Sequence, residues 1–258
     1  MAEVLRCYNV TEAMVNKREQ TQTTSSRGAL LLAVVVTVVV GSVVPFGRLI
    51  LYPFTLMATW VHEMGHGLAA LCVGGGFDRL EVFANASGLA HTRGTAGWGA
   101  GAVSIAGLLA PPLVGCAVLV LSRGERRARA VLLTLALAMV LSCAVWVRNV
   151  SGVVSVLGVA FVLLVISLTS GAQTRLTAAQ FVGLRLVADT VSRMDYVFAE
   201  SAVVEGVSRP SDIARVATEW GGPRIAWSLL VAAVSLSLLA LGLWAAWWER
   251  AERAPVGR

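Results

Sequence analysis

Six runs of apolar residues, each roughly 18 to 26 long, set the limits on what this chain can fold into. They are approximately Ala29–Phe46, Leu49–Val73, Ala96–Leu121, Ala130–Val147, Val150–Leu168 and Ile225–Trp248. A helix rises 1.5 Å per residue, so runs of this length match the ~30 Å of hydrocarbon in a bilayer. Composition agrees. Of 258 residues, 57% are hydrophobic and only 14% charged, against about 25% charged in an ordinary soluble domain. A soluble globule is excluded. The expected fold is an all-α polytopic membrane protein with about six transmembrane helices embedded in a lipid bilayer.

Polar segments 1–28 and 249–258 read as N- and C-terminal tails flanking a multi-span unit over 29–248. The tail before the first run contains Glu3, Glu12 and Glu19, and no small-residue cleavage site follows that run, so it reads as a retained span. The net charge of +6 comes almost entirely from arginines in short loops and tails. Nucleic-acid binding would need a basic face on a soluble domain, and none exists, so anionic headgroups are the expected partners. The preference for Arg, with Lys17 the sole lysine, points to a GC-rich, bacterial genome and a multi-pass cell-membrane location. Trp98, Trp146, Trp227, Trp244, Trp247 and Trp248 fall near span ends, where indoles anchor at the interface. Cys7, Cys72, Cys116 and Cys143 have no metal or redox spacing, and the three in apolar runs read as small buried hydrophobes.

Two stretches break the pattern of plain spans. Residues 74–95 alternate apolar and polar ("RLEVFA") around the turn signal Asn85-Ala86-Ser87-Gly88, which predicts a β-hairpin between two spans. Strands at membrane depth require cover from protein or a water-filled cavity. Residues 171–224 carry Arg185, Asp189, Arg193 and Asp195 on a moderately apolar helical pattern. Arg185, Asp189 and Arg193 share one helix face. An amphipathic helix at the interface is the simpler reading, and a buried functional span is its rival.

The second run contains "WVHEMGHGLAALCVGGG", residues 60–76. His62 and His66 lie about 40° apart around a helix axis and about 6 Å along it, so their imidazoles can converge on one cation. Glu63 points about 100° away, placed to reach a water on that cation without ligating it. This is H-E-x-x-H, two ligands and a general base, and it needs a third ligand and an open position for water. Chance gives about 0.0015 such patterns in a chain of this composition. Location weighs more. An acidic group at the centre of a span costs about 2.5–3.5 kcal/mol, so ionisable groups persist there where function compensates.

With "HEMGHGLAAL" followed by "GGGF" and the hairpin ending "GLAHTRG", the chain resembles the site-2 protease family of intramembrane zinc metallopeptidases. Two weaker likenesses are "SIAGLLAPPLVG" and "PSDIARVATEWGGPRIAW" before the last span, and the resemblance is to the compact branch lacking a PDZ domain. It implies that His62 and His66 bind Zn2+ and that Glu63 activates water for hydrolysis of single-span membrane protein substrates. The family's usual third ligand is an aspartate in an N-P-x-x-D-G-like setting, which this sequence lacks. Among Asp78, Asp189, Asp195 and Asp212, the favoured third ligand is Asp212, with Asp189 next. Against this, Ser211 or Asp212 reads as an N-cap after Pro210, and Asp189 as an ion-pair partner of Arg185 or Arg193.

The hairpin has a mechanistic use, because an extended substrate segment can add as a strand to an exposed edge, for which "RLEVFA" is the candidate. Asn85 is placed to donate to a developing oxyanion. His91 reads as structural, and Gly99, Gly101, Gly107, Pro111 and Pro112 as marks of close helix packing. The alternatives to an enzyme are a catalytically silent membrane scaffold or regulator and, more remotely, a metal transporter. Intact Glu63 argues against the first, and the scarcity of charge in the other spans against the second.

Overall fold

The computed structural model describes residues 47–192 and 197–248. The expected first span Ala29–Phe46, both tails, Arg193 and Asp195 lie outside the described residues. Among the described residues, seven helices and two hairpins follow in order: α1 (Gly47–Cys72), β1 (Gly76–Val82), β2 (Gly88–Arg93), α2 (Trp98–Leu121), α3 (Glu125–Val145), α4 (Val150–Thr169), α5 (Ala172–Ser192), β3 (Ser201–Val204), β4 (Val207–Pro210), α6 (Asp212–Trp220) and α7 (Arg224–Trp248). Four of them, α2, α3, α4 and α7, are long and apolar enough to cross a membrane. The 26 residues of α1 are also long enough, but they carry the H-E-x-x-H stretch. The chain is thus a mostly helical, polytopic membrane protein with a small hairpin after α1.

Hydropathy alone does not say which face of an apolar helix turns inward; small residues do. In α4 the buried positions are Gly152, Val156, Ala160, Leu163 and Ser167, one stripe at helical spacing. It meets the matching stripe Ala128, Leu132, Ala136, Met139 and Ser142 of α3. Close approach of two backbones gives the dispersion contacts that hold helices together in lipid. The opposite face of α4 leaves Val154, Phe161, Val162 and Leu168 exposed, as a lipid-facing surface does. The third helix starts at Glu125, earlier than the apolar run, because Glu and Arg extend a helix well and Glu suits its first turn.

Helix α2 is the hub, packed against α1, α5, α6 and α7. It continues through Pro111 and Pro112, whose missing N–H groups leave the Gly107 and Leu108 carbonyls without their helical donors. Of the cysteines, Cys116 is buried and Cys143 half-buried, whereas Cys72 is exposed at the end of α1, contrary to the expected burial.

The hairpin over 74–95 forms as expected, with Gly76 opposite Arg93 and Val82 opposite Gly88. Its edges, however, are arranged the other way round. The outer edge of β1 is covered by the α3–α4 junction: Leu80 N–H donates to Trp146 O at 2.8 Å and Arg148 N–H to Leu80 O at 3.1 Å. Asn149 completes the cover, accepting from Val82 N–H through Oδ1 at 3.1 Å and donating to Val82 O through Nδ2 at 2.8 Å. Phe77 stacks on Trp146 at 4.9 Å between ring centres. The "RLEVFA" strand is therefore already paired, and the open edge belongs to β2.

The segment after Thr169 also departs from the simpler expectation. Helix α5 is packed against α2, α3 and α1, with Gln180, Arg185 and Asp189 all buried. Its polar face turns inward, as the rival reading required. A second hairpin, β3–β4, was not anticipated. Its two-residue turn has Glu205 at φ 50° and Gly206 at φ 78°, the type I′ pattern whose twist suits antiparallel strands.

Candidate metal centre

The centre is assembled from three elements far apart in sequence. One turn of α1 presents His62 and His66, whose Nε2 atoms lie 3.0 Å apart. The N-terminus of α6 presents Asp212, with Oδ2 3.1 Å from His62 Nε2 and 3.4 Å from His66 Nε2. From α2, the Val103 carbonyl lies 2.9 Å from His66 Nδ1. That carbonyl only accepts, so His66 carries its proton on Nδ1 and turns a lone pair on Nε2 towards the other two donors.

Local sequence explains each placement. Ser211 takes the N-cap of α6: its Oγ accepts from Ala214 N–H at 3.2 Å and donates to Ala199 O at 2.7 Å. Asp212, at the first helical position, is thereby left to face the histidines, so the cap reading applies to Ser211 alone. The far end of α6 is tied to the start of α2, where Trp220 donates from Nε1 to the Trp98 carbonyl at 3.0 Å. Gly107 lets α2 approach: a Cβ there would sit 2.1 Å from His66 Cε1.

The donors fit a zinc ion. Bonds of about 2.0–2.2 Å in tetrahedral geometry need donor–donor separations of about 3.3 Å. The observed triangle, with sides of 3.0, 3.1 and 3.4 Å, is one face of such a tetrahedron. Two imidazoles and a carboxylate form an N2O donor set, which leaves the fourth corner open. The Val103 contact supplies the outer-shell partner that metal-bound histidines carry.

Glu63 is buried at 7% exposure, and its Oε2 accepts from Ala90 N–H of the open β2 edge at 2.7 Å. Gly88 makes this close approach possible, since a Cβ would fall 2.6 Å from Glu63 Cγ. Thr59, one turn before Glu63, donates to Ala86 O at 2.8 Å. Ala86 has φ 62°, a left-handed conformation uncommon for a residue with a Cβ. A non-glycine outlier held beside a glutamate in this way is the kind of strain that gathers at working sites.

Together these groups border a cavity of about 370 Å³, with His62, Glu63 and Thr59 on one side and the 85–88 turn above them. Leu108 and Pro111 of α2, Asp189 and Thr190 of α5, and Ala202 to Val204 of β3 form the remaining walls.

The other candidates are accounted for. Asp189 lines the cavity and lies 4.0 Å from Arg185, outside the donor triangle. Asp78 is exposed and pairs with Arg93 at 3.1 Å. His91 pairs with Glu81 across the hairpin at 2.8 Å, a structural histidine as expected. Asn85 closes its own turn, its Oδ1 accepting from Ser87 N–H and Oγ. Gly101 and Gly107 do mark close packing, against Trp220 and His66. Sequence reasoning missed Thr59, Val103 and β3. Of these only β3 left a signal, the "VVEGV" pattern of a tight turn between β-branched residues.

A His-His-Asp cluster with a neighbouring glutamate, opening on a cavity inside a bundle of apolar helices, defines a membrane protein with a metallopeptidase-like centre. The particular family follows from comparison: the chain belongs to the M50B-like peptidases, whose pattern matches residues 28–242. This bears out the resemblance to the site-2 protease family. Comparison with curated proteins and with solved structures gives no match.

Proposed function

We propose that the protein is a zinc-dependent intramembrane endopeptidase of a multi-pass, bacterial cell-membrane type, hydrolysing peptide bonds of single-span membrane proteins. The observation that carries this reading is the convergence of His62, His66 and Asp212 within bonding range of one ion, with Glu63 beside them. These three side chains would hold the metal. Bound zinc polarises a peptide carbonyl and brings the pKa of a water ligand near ~7.

The chain's own groups supply the rest. Glu63 removes a proton from the attacking water and returns it to the departing amide nitrogen as the C–N bond breaks. With Oε2 held by Ala90 N–H, its second oxygen is the one left for that transfer. A helical substrate hides its peptide carbonyls in internal hydrogen bonds, so it must be extended before attack. The β2 edge, beside Glu63, offers backbone groups on which such a segment can pair as a strand. At 7% exposure, the Glu63 carboxylate is itself shielded from most bulk water.

The test is to incubate the zinc-loaded protein with solubilised membrane proteins and to label newly formed N-termini. Wild type should create termini within apolar spans, and Glu63→Gln should retain stoichiometric zinc yet create none. Equal termini from the variant would overturn the assignment. No termini from either protein, with zinc absent from both, would leave a silent scaffold as the better account.

A further inference from the structure

The β3–β4 hairpin does two things at once in this fold. Its β3 residues Ala202, Val203 and Val204 line the cavity over Glu63 and His62, whereas no residue of β4 does. Its base runs directly into the metal centre, since Ser211 N–H donates to Glu200 O at 2.9 Å and Asp212 follows. A surface hairpin with only a packing role has no reason to place a strand against the reacting groups.

The register tells which backbone groups of β3 are spoken for. Ala202 pairs with Arg209 and Val204 with Val207. The turn and the Glu200–Ser211 bond make these the hydrogen-bonded pairs, because bonded and unbonded pairs alternate along an antiparallel ladder. Ser201 and Val203 therefore direct N–H and C=O away from β4. Among the described residues no further strand meets that edge. The cavity side of the hairpin is thus an open edge, with Val203 66% exposed although apolar. The register of the first hairpin leaves Gly88 and Ala90 facing outward from β2 in the same way, towards Glu63. The Gly88 end of the β2 edge and the open β3 edge thus border one cavity.

We propose that β3 is a substrate-binding edge: the extended substrate lies between β2 and the Ser201–Val203 edge, held on both sides across the metal centre. The occupant is a polypeptide strand, because an open edge at this spacing offers alternating donors and acceptors that only another backbone matches in period. Lipid has none to offer. Val203, Leu108 and Val197 each supply apolar wall to this cavity, which favours a small or medium apolar side chain next to the scissile bond. This inference rests on the peptidase reading and adds the second binding surface to it.

The probe is a synthetic peptide spanning the first cleavage site found by terminus labelling. With the native cysteines replaced by Ala in a Glu63→Gln background, Val203→Cys is paired with single cysteines walked along the peptide. Disulfides should form at positions within about four residues of the scissile bond, and Val207→Cys on β4 should give none. Separately, Val203→Pro removes the outward N–H, at an edge position of the kind Pro210 already occupies on β4. It should lower kcat/KM for the peptide about tenfold, mainly through KM, with zinc content unchanged. Equal cross-linking at both positions, or none at Val203→Cys while wild type cleaves the peptide, would overturn the second edge and spare the enzyme. Failure of wild type to cleave any peptide would overturn both.

Discussion

The Ala90 amide donates to Glu63 Oε2 at 2.7 Å, so the open edge of the first hairpin ends on the carboxylate next to a candidate metal ligand. The bond fixes one oxygen of a buried acid and links the strand that would receive a substrate to the group that would move the proton. A hydrogen bond to a charged acceptor contributes about 1.5–3 kcal/mol, more than an ordinary neutral one.

Ala90→Pro removes that donor while keeping a residue suited to an edge strand. The expected outcome is a kcat/KM lower by about ten- to a hundredfold with zinc stoichiometry intact. Parallel metal analysis and peptide cleavage check it, and loss of zinc would show that the strand supports the metal centre instead.

Asp189 lines the same cavity as His62, yet the donor triangle contains Asp212 alone. Asp212→Asn should weaken zinc binding by more than the roughly 10–100-fold typical of outer-shell losses. Asp189→Asn should leave zinc stoichiometric. Competition with a chromophoric chelator measures both, and the reverse order would hand the third ligand to Asp189.

Gly107→Ala addresses the packing of α2 on the centre. A Cβ at this position would lie 2.1 Å from His66 Cε1, so either the imidazole or the helix must shift. Overpacking of a well-filled site costs about 1–3 kcal/mol. Zinc affinity should fall at least tenfold while helix content by circular dichroism stays unchanged.

Asn149 holds the covered edge of β1 by two hydrogen bonds to Val82. Asn149→Ala leaves Val82 N–H without its partner, while Ser151 Oγ still donates to Val82 O at 2.9 Å, a loss of about 1–3 kcal/mol. Faster amide exchange at Val82 and Leu80 than in wild type is the expected readout.

How much of this was legible follows from where the information sits. The spans, the hairpin and the histidine pair are local in sequence, written in run length, alternation and a spacing of four, and the fold honours those that fall on the described residues. Asp212 was only favoured over Asp189, through the family resemblance and the segment "PSDIARVA", since the contact joining it to His62 spans 150 residues. The covered edge could not be read at all. "RLEVFA" carries the alternation of any edge strand, and its occupation depends on Trp146 and Asn149, which the sequence marks only as a span end. Likewise, the charges of α5 read as a solvated face because composition cannot say that α2 and α3 enclose them. The turn at Glu205-Gly206 was legible but short, four residues to a strand.

Ser211 joins the second hairpin to the metal centre, and its removal separates two roles. As an N-cap it stabilises α6 by about 1 kcal/mol, through the bond from Ala214 N–H. Through its own donation to Ala199 O it also sets where Asp212 begins. Ser211→Ala should therefore lower Tm in both the chelated and the zinc-loaded protein, and should weaken zinc binding several-fold besides. The shift should be larger with zinc present, because a weaker site returns less stability by mass action. Ser211→Thr, which keeps the hydroxyl, should restore both. Thermal unfolding in detergent, with and without chelator, reads the difference directly. Equal Tm shifts in the two states, with zinc affinity unchanged, would make Ser211 a cap alone, with no part in positioning the carboxylate.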